Sequence, residues 1–148
     1  MPIPSNQTID AGYDFTAKQV PVPHPITGEK SGYFMNVRED TNDIVGWTTD
    51  RYGLVQHRDV IAFGDKAFAD RDIAVQRRII VSENGAKMRA IYTLLDDAFT
   101  AEIPQVGDAV RYTLTAQNSL DRSLRLAYIL GLERLVCTNG MTTTEKEV

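Results

Sequence analysis

The sequence predicts an α+β fold, in which antiparallel β-hairpins and a β-meander pack with one principal helix. Three observations predict it. Only one segment, from about His57 to Phe68, carries apolar residues at the three-and-four spacing of a helix. From residue 73 onward the apolar period changes to two and holds through several segments. Turn chemistry separates those segments, and Asn84-Gly85 is the strongest of these signals.

Residues 1–12 are polar, contain prolines and read as a loose arm. Phe15 to Val22 is a short edge strand, because the prolines at 21, 23 and 25 forbid a central one. Ile26 to Gly32 is turn chemistry. Tyr33–Arg38 and Ile44–Thr49 are β-rich, and the five polar residues between them make a hairpin. Tyr52–Gln56 reads as a further short strand. The helix opens at His57 or Arg58, with Val60, Ile61, Phe63, Ala67 and Phe68 as its buried stripe. Asp59 in the first turn suits the helix dipole. Gly64 weakens a helix by about 1 kcal/mol relative to Ala, a cost that a close helix–sheet contact would explain.

Strands follow over Ile73–Val81, Lys87–Leu95, Phe99–Ile103, Val110–Ala116 and Ser123–Leu132, an antiparallel meander. The domain so defined spans 13–141, after an arm at 1–12 and before a polar tail at 142–148. Trp47, Phe63, Phe68, Tyr92, Tyr112 and Leu126 lie on the apolar side of periodic segments and are expected in the core.

A chain of 148 residues is one domain of ordinary size and needs no disulfide or metal staple. With 43% hydrophobic and 24% charged residues it is not a disordered, collagenous or coiled-coil chain. A net charge of -4 and a pI near 5.1 argue against a nucleic-acid binder of the histone type. The single cysteine, Cys137, permits no intramolecular disulfide, and a reducing cytoplasm is the simplest setting. No apolar run approaches the roughly 18 to 20 residues of a membrane span, so no membrane partner is expected.

No catalytic constellation appears. His24, His57 and Cys137 are far apart and lack metal-ligand spacing, so neither a metal nor a cofactor is expected. Cys137 reads as a small buried hydrophobe at a strand end. Asp96-Asp97 would point to opposite faces of a strand, and more simply ends one.

The basic residues are more informative. Residues 71–134 carry nine Lys or Arg against eight Asp or Glu, whereas residues 1–70 carry six against ten. Strand alternation sorts them. Met88, Ala90, Tyr92 and Leu94 share one face, and Lys87, Arg89, Ile91 and Thr93 the other. Val110, Tyr112, Leu114 and Ala116 oppose Arg111, Thr113, Thr115 and Gln117. Leu124, Leu126, Tyr128 and Leu130 turn inward, leaving Ser123 and Arg125 outside. If these strands are neighbours, Arg78, Lys87, Arg89, Arg111 and Arg125 share one sheet face, a phosphate-tracking surface. The same residues would also suit the solvated face of an ordinary antiparallel sheet. Aromatic stacking residues are absent from that face, since Tyr92, Tyr112 and Tyr128 fall on the apolar side.

Three segments carry a family resemblance. Tyr52-Gly53-Leu54-Val55-Gln56-His57-Arg58 resembles the "Y-x-V-V-Q-N/H-x-E" helix entry of the phage/plasmid-like family of unknown function numbered 932 among uncharacterised domains. Asn118-Ser119-Leu120-Asp121-Arg122-Ser123 is similar to its "N-S-H-D-G-S" turn. Arg134-Leu135-Val136-Cys137-Thr138-Asn139 is similar to its "R-V-V-C-x-N" ending. The family-motif residues are thus Gln56, Asn118, Arg134, Cys137 and Asn139. Leu120 stands where the family usually has His, Arg122 where it has Gly, and the acidic residue after Gln is displaced to Asp59. Members are commonly longer, so the chain reads as a short form or an N-terminal portion.

The resemblance implies a protein of phages, plasmids and their bacterial hosts, and supplies no enzyme activity. A weaker fold-level resemblance is to single-strand annealing recombination mediators of phages. The expected function is therefore non-enzymatic. The protein would bind DNA, single-stranded by preference, through the basic sheet face as a homo-oligomer in recombination or replication. The rival expectation is a protein-interaction module that counters a host defence or restriction factor, which the acidic pI favours. Asn118, Arg134 and Asn139 are expected to serve structure first, as turn and strand-end residues.

Overall fold

Two antiparallel sheets and one helix make the fold. The structure, a computed structural model, describes residues 12–103, 108–135 and 142–144. A small sheet has the order β1 (Ala17–Pro23), β2 (Lys30–Arg38), β3 (Ile44–Thr49). Helix α1 (His57–Asp70) follows. A large sheet then runs β4 (Val75–Val81), β5 (Lys87–Leu94), β7 (Asp108–Ser119), β8 (Ala127–Leu135), β9 (Thr142–Thr144), with β6 (Thr100–Ile103) also paired to β7. The fold class and the meander thus stand, with six described strands after the helix in place of the five expected.

Local chemistry explains the element ends. Pro21 and Pro23 lie in β1, an edge strand, where a missing N–H breaks no central ladder. Gly85 adopts a φ of 85° in the turn between β4 and β5, a region that favours glycine. Asp96 accepts a hydrogen bond from the Ala98 N–H (3.0 Å) and caps the single 3-10 turn after β5.

Two expected strands differ. Tyr52–Gln56 forms no ladder. Its contact with β1 runs through one side chain instead, because the Gln56 amide accepts from the Ala17 N–H (2.9 Å) and donates to the Ala17 carbonyl (2.8 Å). The last meander strand begins at Ala127, not Ser123. Ser119 Oγ accepts from the Leu124 N–H (3.0 Å) and donates to the Leu124 carbonyl (2.8 Å), which folds 120–126 into a loop.

The main core lies between α1 and the large sheet. Val60, Ile61 and Phe68 pack on Ile79, Met88, Ala90, Tyr92, Leu94 and Ala116. Helix and sheet touch at Gly64, where a Cβ would lie 2.6 Å from Tyr92 Oη. That contact accounts for a mid-helix glycine. The single Tyr92 hydroxyl proton lies between two acceptors, Asp65 Oδ1 (2.8 Å) and the Ile61 carbonyl (3.1 Å), and Asp65 also pairs with Arg77. A second core of Phe15, Ala17, Val45, Ala86 and Leu120 joins the small sheet to the large one.

Three of the expected core residues are not buried. Phe68 and Tyr92 are buried and Tyr112 is half-buried. Trp47 is 56% exposed, Phe63 64% and Leu126 44%. Phe63 lies at the flank of α1 facing Tyr128, with ring centroids 5.8 Å apart, beyond the strip of sheet that the helix covers. Leu126 belongs to the loop, not to a strand. Trp47 is exposed because the small sheet turns its other face inward. Register places Asn36 on the same face as Ala17 and Gln19, beside Gly46 and Thr48, and this is the face turned inward.

Candidate nucleic-acid interface

The large sheet has one face on α1 and one turned away from it. Antiparallel pairing keeps partnered side chains on the same face. Across β4, β5, β7 and β8 the outward rows read Gln76–Thr93–Thr113–Gly131, Arg78–Ile91–Thr115–Ile129 and Ile80–Arg89–Gln117–Ala127. Lys87 opposite Ser119 and Arg111 opposite Glu133 extend them. Arg78, Lys87, Arg89 and Arg111 therefore share this face, as strand alternation predicts. Arg125 lies in the 120–126 loop rather than on a strand; its carbonyl accepts from Gln117 Nε2 (3.0 Å), which holds it at the Gln117 end of the same face.

The electrostatic setting of these cations differs from that of others in the chain. Arg38, Arg58, Lys66 and Arg77 each pair with a carboxylate. Arg78, Lys87, Arg89 and Arg125 are exposed, and none forms a salt bridge among the described residues. Arg111 is half-buried, and its Nε is buried without a hydrogen-bond partner. Glu133 is an acid of this face, accepting from Thr93 Oγ1 at 3.0 Å. A cavity at the turn end of the sheet mixes Asp43, Glu83 and Asp121 with Lys87, so negative charge borders the basic strip there.

The family-motif residues occupy a different place, a buried polar junction between the sheets and the helix N-terminus. Asn118 donates through Nδ2 to the Val55 carbonyl (2.7 Å) and contacts His57 Nδ1 (3.2 Å). The Nε2 of His57 lies 2.8 Å from the Gly85 carbonyl. A neutral imidazole with its proton on Nε2 satisfies both contacts, donating to Gly85 and accepting from Asn118. Burial, the leading cause, pushes the His57 pKa below its ordinary value; the Gly85 bond opposes this and the Arg38 charge adds to it. Tyr52 donates to the Ser119 carbonyl (2.9 Å). Asn36 donates to the Leu120 carbonyl (2.7 Å), and at Gly46 a Cβ would collide with the backbone of Leu120 and Asp121.

Each of these polar groups holds backbone to backbone across elements. Gln56 and Asn118 thus bond the backbone of distant segments, and Asn118, expected in a turn, lies within β7. Sequence reasoning took His57 as a helix-entry residue, and it is the first residue of α1, fully buried. It missed Asn36 and Gly46. Their only signal was small and polar residue types in step with each other on adjacent strands. Arg134 lies in β8, while Cys137 and Asn139 lie outside the described residues. Among the described residues no group of three His, Cys, Asp or Glu is placed to hold a metal ion. No helix of the described residues is long and apolar enough to cross a membrane.

Fold and site define a β-rich α+β protein with a tightly bonded polar junction and a basic sheet face whose exposed cations form no salt bridge among the described residues. The chain belongs to the family described as domain of unknown function (DUF932), whose model matches residues 45–148. The match takes in the helix entry, the Asn118 turn and the large sheet, and it begins in β3, after β1 and β2. No curated protein and no solved structure matches the chain.

Proposed function

We propose that the protein binds nucleic acid, single-stranded by preference, through the outward face of the large sheet, in a non-enzymatic role in recombination or replication of mobile DNA. The observation that carries this reading is the common face of Arg78, Lys87, Arg89 and Arg111, three of them exposed and without an acidic partner among the described residues. Arg78 and Arg89 sit on adjacent strands two residues out of step, a diagonal spacing of about 7–8 Å. Cations so spaced can follow a phosphate backbone. Among the described residues the face is built of strands, and the helix that could enter a groove lies on the other side of the sheet, which favours a single strand over a duplex. Its non-polar side chains are Ile80, Ile91 and Ile129, so bases would meet aliphatic groups and the recognition would be independent of sequence.

A salt-dependent gel shift with single-stranded and duplex oligonucleotides tests it. Wild type should bind single strands more tightly. Arg78→Ala and Arg89→Ala should each weaken binding for all sequences alike and lower the slope of log affinity against log salt by about 0.7 per lost phosphate contact. No binding at about 50 mM salt, where screening is weak, would reject the reading.

The second reading, a module that binds a protein of the host, is favoured by an exposed apolar strip on the opposite face. Phe63 (64% exposed), Leu130 (54%) and Tyr128 (40%) line it beyond the reach of α1. A negative gel shift promotes that reading.

A further inference from the structure

The small sheet leaves its larger apolar side chains outside. Its inward face mixes the buried Ala17 and Val45 with Asn36 and Thr48, which are buried and bonded to each other, and Gln19 reaches Thr48 from β1. Its outward face carries the rows Val22–Tyr33–Thr49, Val20–Met35–Trp47 and Lys18–Val37–Ile44. Tyr33 is 58% exposed, Trp47 56% and Ile44 47%, and they adjoin Met35 and three valines. Singly exposed hydrophobes are ordinary, but a contiguous apolar sheet face marks an interface.

We propose that this face joins two copies of the chain, sheet against sheet, as a two-fold dimer. Its charge selects a second copy over a charged partner. The charged groups of the face lie at one end, Lys18 in β1 and Glu39 just after β2 in step with Val37, one of each sign. The rest of this face is uncharged, so it offers nothing to a polyanion and suits the equally uncharged face of a second copy.

Shape supports the same occupant. In the central row a small residue, Val20, stands on one edge strand and the largest, Trp47, on the other, with Met35 between. A two-fold axis along the strands sets Trp47 of one copy over Val20 of the other, the large-on-small fit by which aligned sheets interdigitate. Pairing by strand addition at β1 is disfavoured, since Pro21 and Pro23 remove donors from that edge. The chain before β1 approaches from the far side: the Tyr13 ring packs on the large-sheet core, 5.9 Å from the Arg77 guanidinium.

The size of the face sets the strength. Three strands about 4.8 Å apart, each with five residues of about 3.3 Å, span roughly 14 by 17 Å. Side chains raise this to about 1,000 Å² of accessible surface in total, the low end for a specific interface. The dimer is therefore reversible, with a dissociation constant on the order of 10–100 μM.

The chain's single tryptophan is the probe, because Trp47 lies in the centre row. Sedimentation equilibrium and tryptophan emission are followed together over about 1–500 μM, a range that brackets the expected constant. Mass should rise from monomer to dimer, and emission should shift to the blue over the same range. Trp47→Lys and Met35→Lys should each weaken the dimer at least tenfold, with circular dichroism unchanged. A monomer throughout, a dimer formed without a Trp emission shift, or a dimer of undiminished strength in both folded variants overturns the proposal. If a variant loses its circular dichroism, the wild-type emission shift decides alone.

Discussion

In the large sheet Met88, Ala90, Tyr92 and Leu94 face the helix and are buried, while Lys87 and Arg89 face solvent. In the small sheet Asn36 and Thr48 are buried, while Tyr33, Trp47 and Ile44 face solvent. The large sheet alternates regularly, and the small sheet does so except where its register shifts, so that Val45 and Gly46 are both buried. They differ in what lies against them. The large sheet has an amphipathic helix to cover its apolar face. The small sheet meets instead a loop backbone at Leu120–Asp121, whose carbonyl needs a donor and whose close approach needs Gly46. A buried carbonyl left without a partner costs about 1–3 kcal/mol, so the face with the Asn36 donor goes inward, together with Ala17 and Val45, and the face of Tyr33, Trp47 and Ile44 is left outside. Alternation therefore says which side chains travel together, and the neighbouring element decides which set is buried.

The sharpest test of this contrast uses two aromatic residues on strand centres. Tyr92 packs on Phe68 at 5.0 Å between ring centroids and bonds to the helix. Tyr92→Ala should cost about 3–5 kcal/mol, the range for truncating a buried aromatic. Trp47→Ala removes a larger side chain from a surface position and should cost under about 1 kcal/mol in the dilute protein. Urea melts at low micromolar concentration measure both. Equal losses would show that the small sheet is packed on its apolar side after all and would cancel the contrast.

Much of this was legible in the sequence. The helix, the edge character of β1, the β2–β3 hairpin and the phases of β4, β5 and β7 follow from period, proline and turn chemistry, and the shared face of Arg78, Lys87, Arg89 and Arg111 follows from those phases. The exposure of Trp47 and Phe63 did not, because it depends on which element lies against a face and how far that element reaches. The junction was legible only as a motif. Nothing in Gln56 or Asn118 alone announces that each holds the backbone of a distant segment, since those partners lie 39 and 63 residues away. Tyr52–Gln56 was misread for the same reason: its extended backbone looks like a strand, yet a side chain makes the pairing.

The junction that turns the Asn36 face of the small sheet inward also makes the fold sensitive to acid. His57 is neutral there, with its pKa lowered by burial. A base whose folded pKa lies below its unfolded value of 6.5 binds its proton more readily when the chain is unfolded. Stability is therefore complete above about pH 6.5 and falls as the pH drops toward the folded pKa, by at most about 1.4 kcal/mol per pH unit. Protonation would also set an Nδ1–H against the Asn118 amide, donor against donor. Denaturant melts from pH 7.5 to 5.5 should show this decline, and His57→Gln should flatten it. A flat wild-type profile would mean that the imidazole charges without loss and that the junction is looser than its contacts imply.

The smallest effect concerns the loop that presses on Gly46. Arg122 has a φ of 67°, the left-handed region, where an L side chain costs about 1–2 kcal/mol. The family turn resembled by Asn118–Ser123 carries Gly at this point, and the backbone requirement explains why. Arg122→Gly removes the strain but adds freedom to the unfolded chain, worth about 0.4–1 kcal/mol in the opposite sense, so its net gain should be close to zero. Arg122→Asn tolerates the same region without that added freedom and should stabilise the fold by about 0.5–1 kcal/mol. Arg122→Val should be the least stable, since a β-branched residue is a true outlier there. The order Asn above Gly, Gly level with or above Arg, and Val last, read from urea midpoints, would show that the strain is real and local to the junction. If Val matches Arg, the loop relaxes without cost, and the close approach at Gly46 does not hold the 120–126 backbone in its left-handed turn.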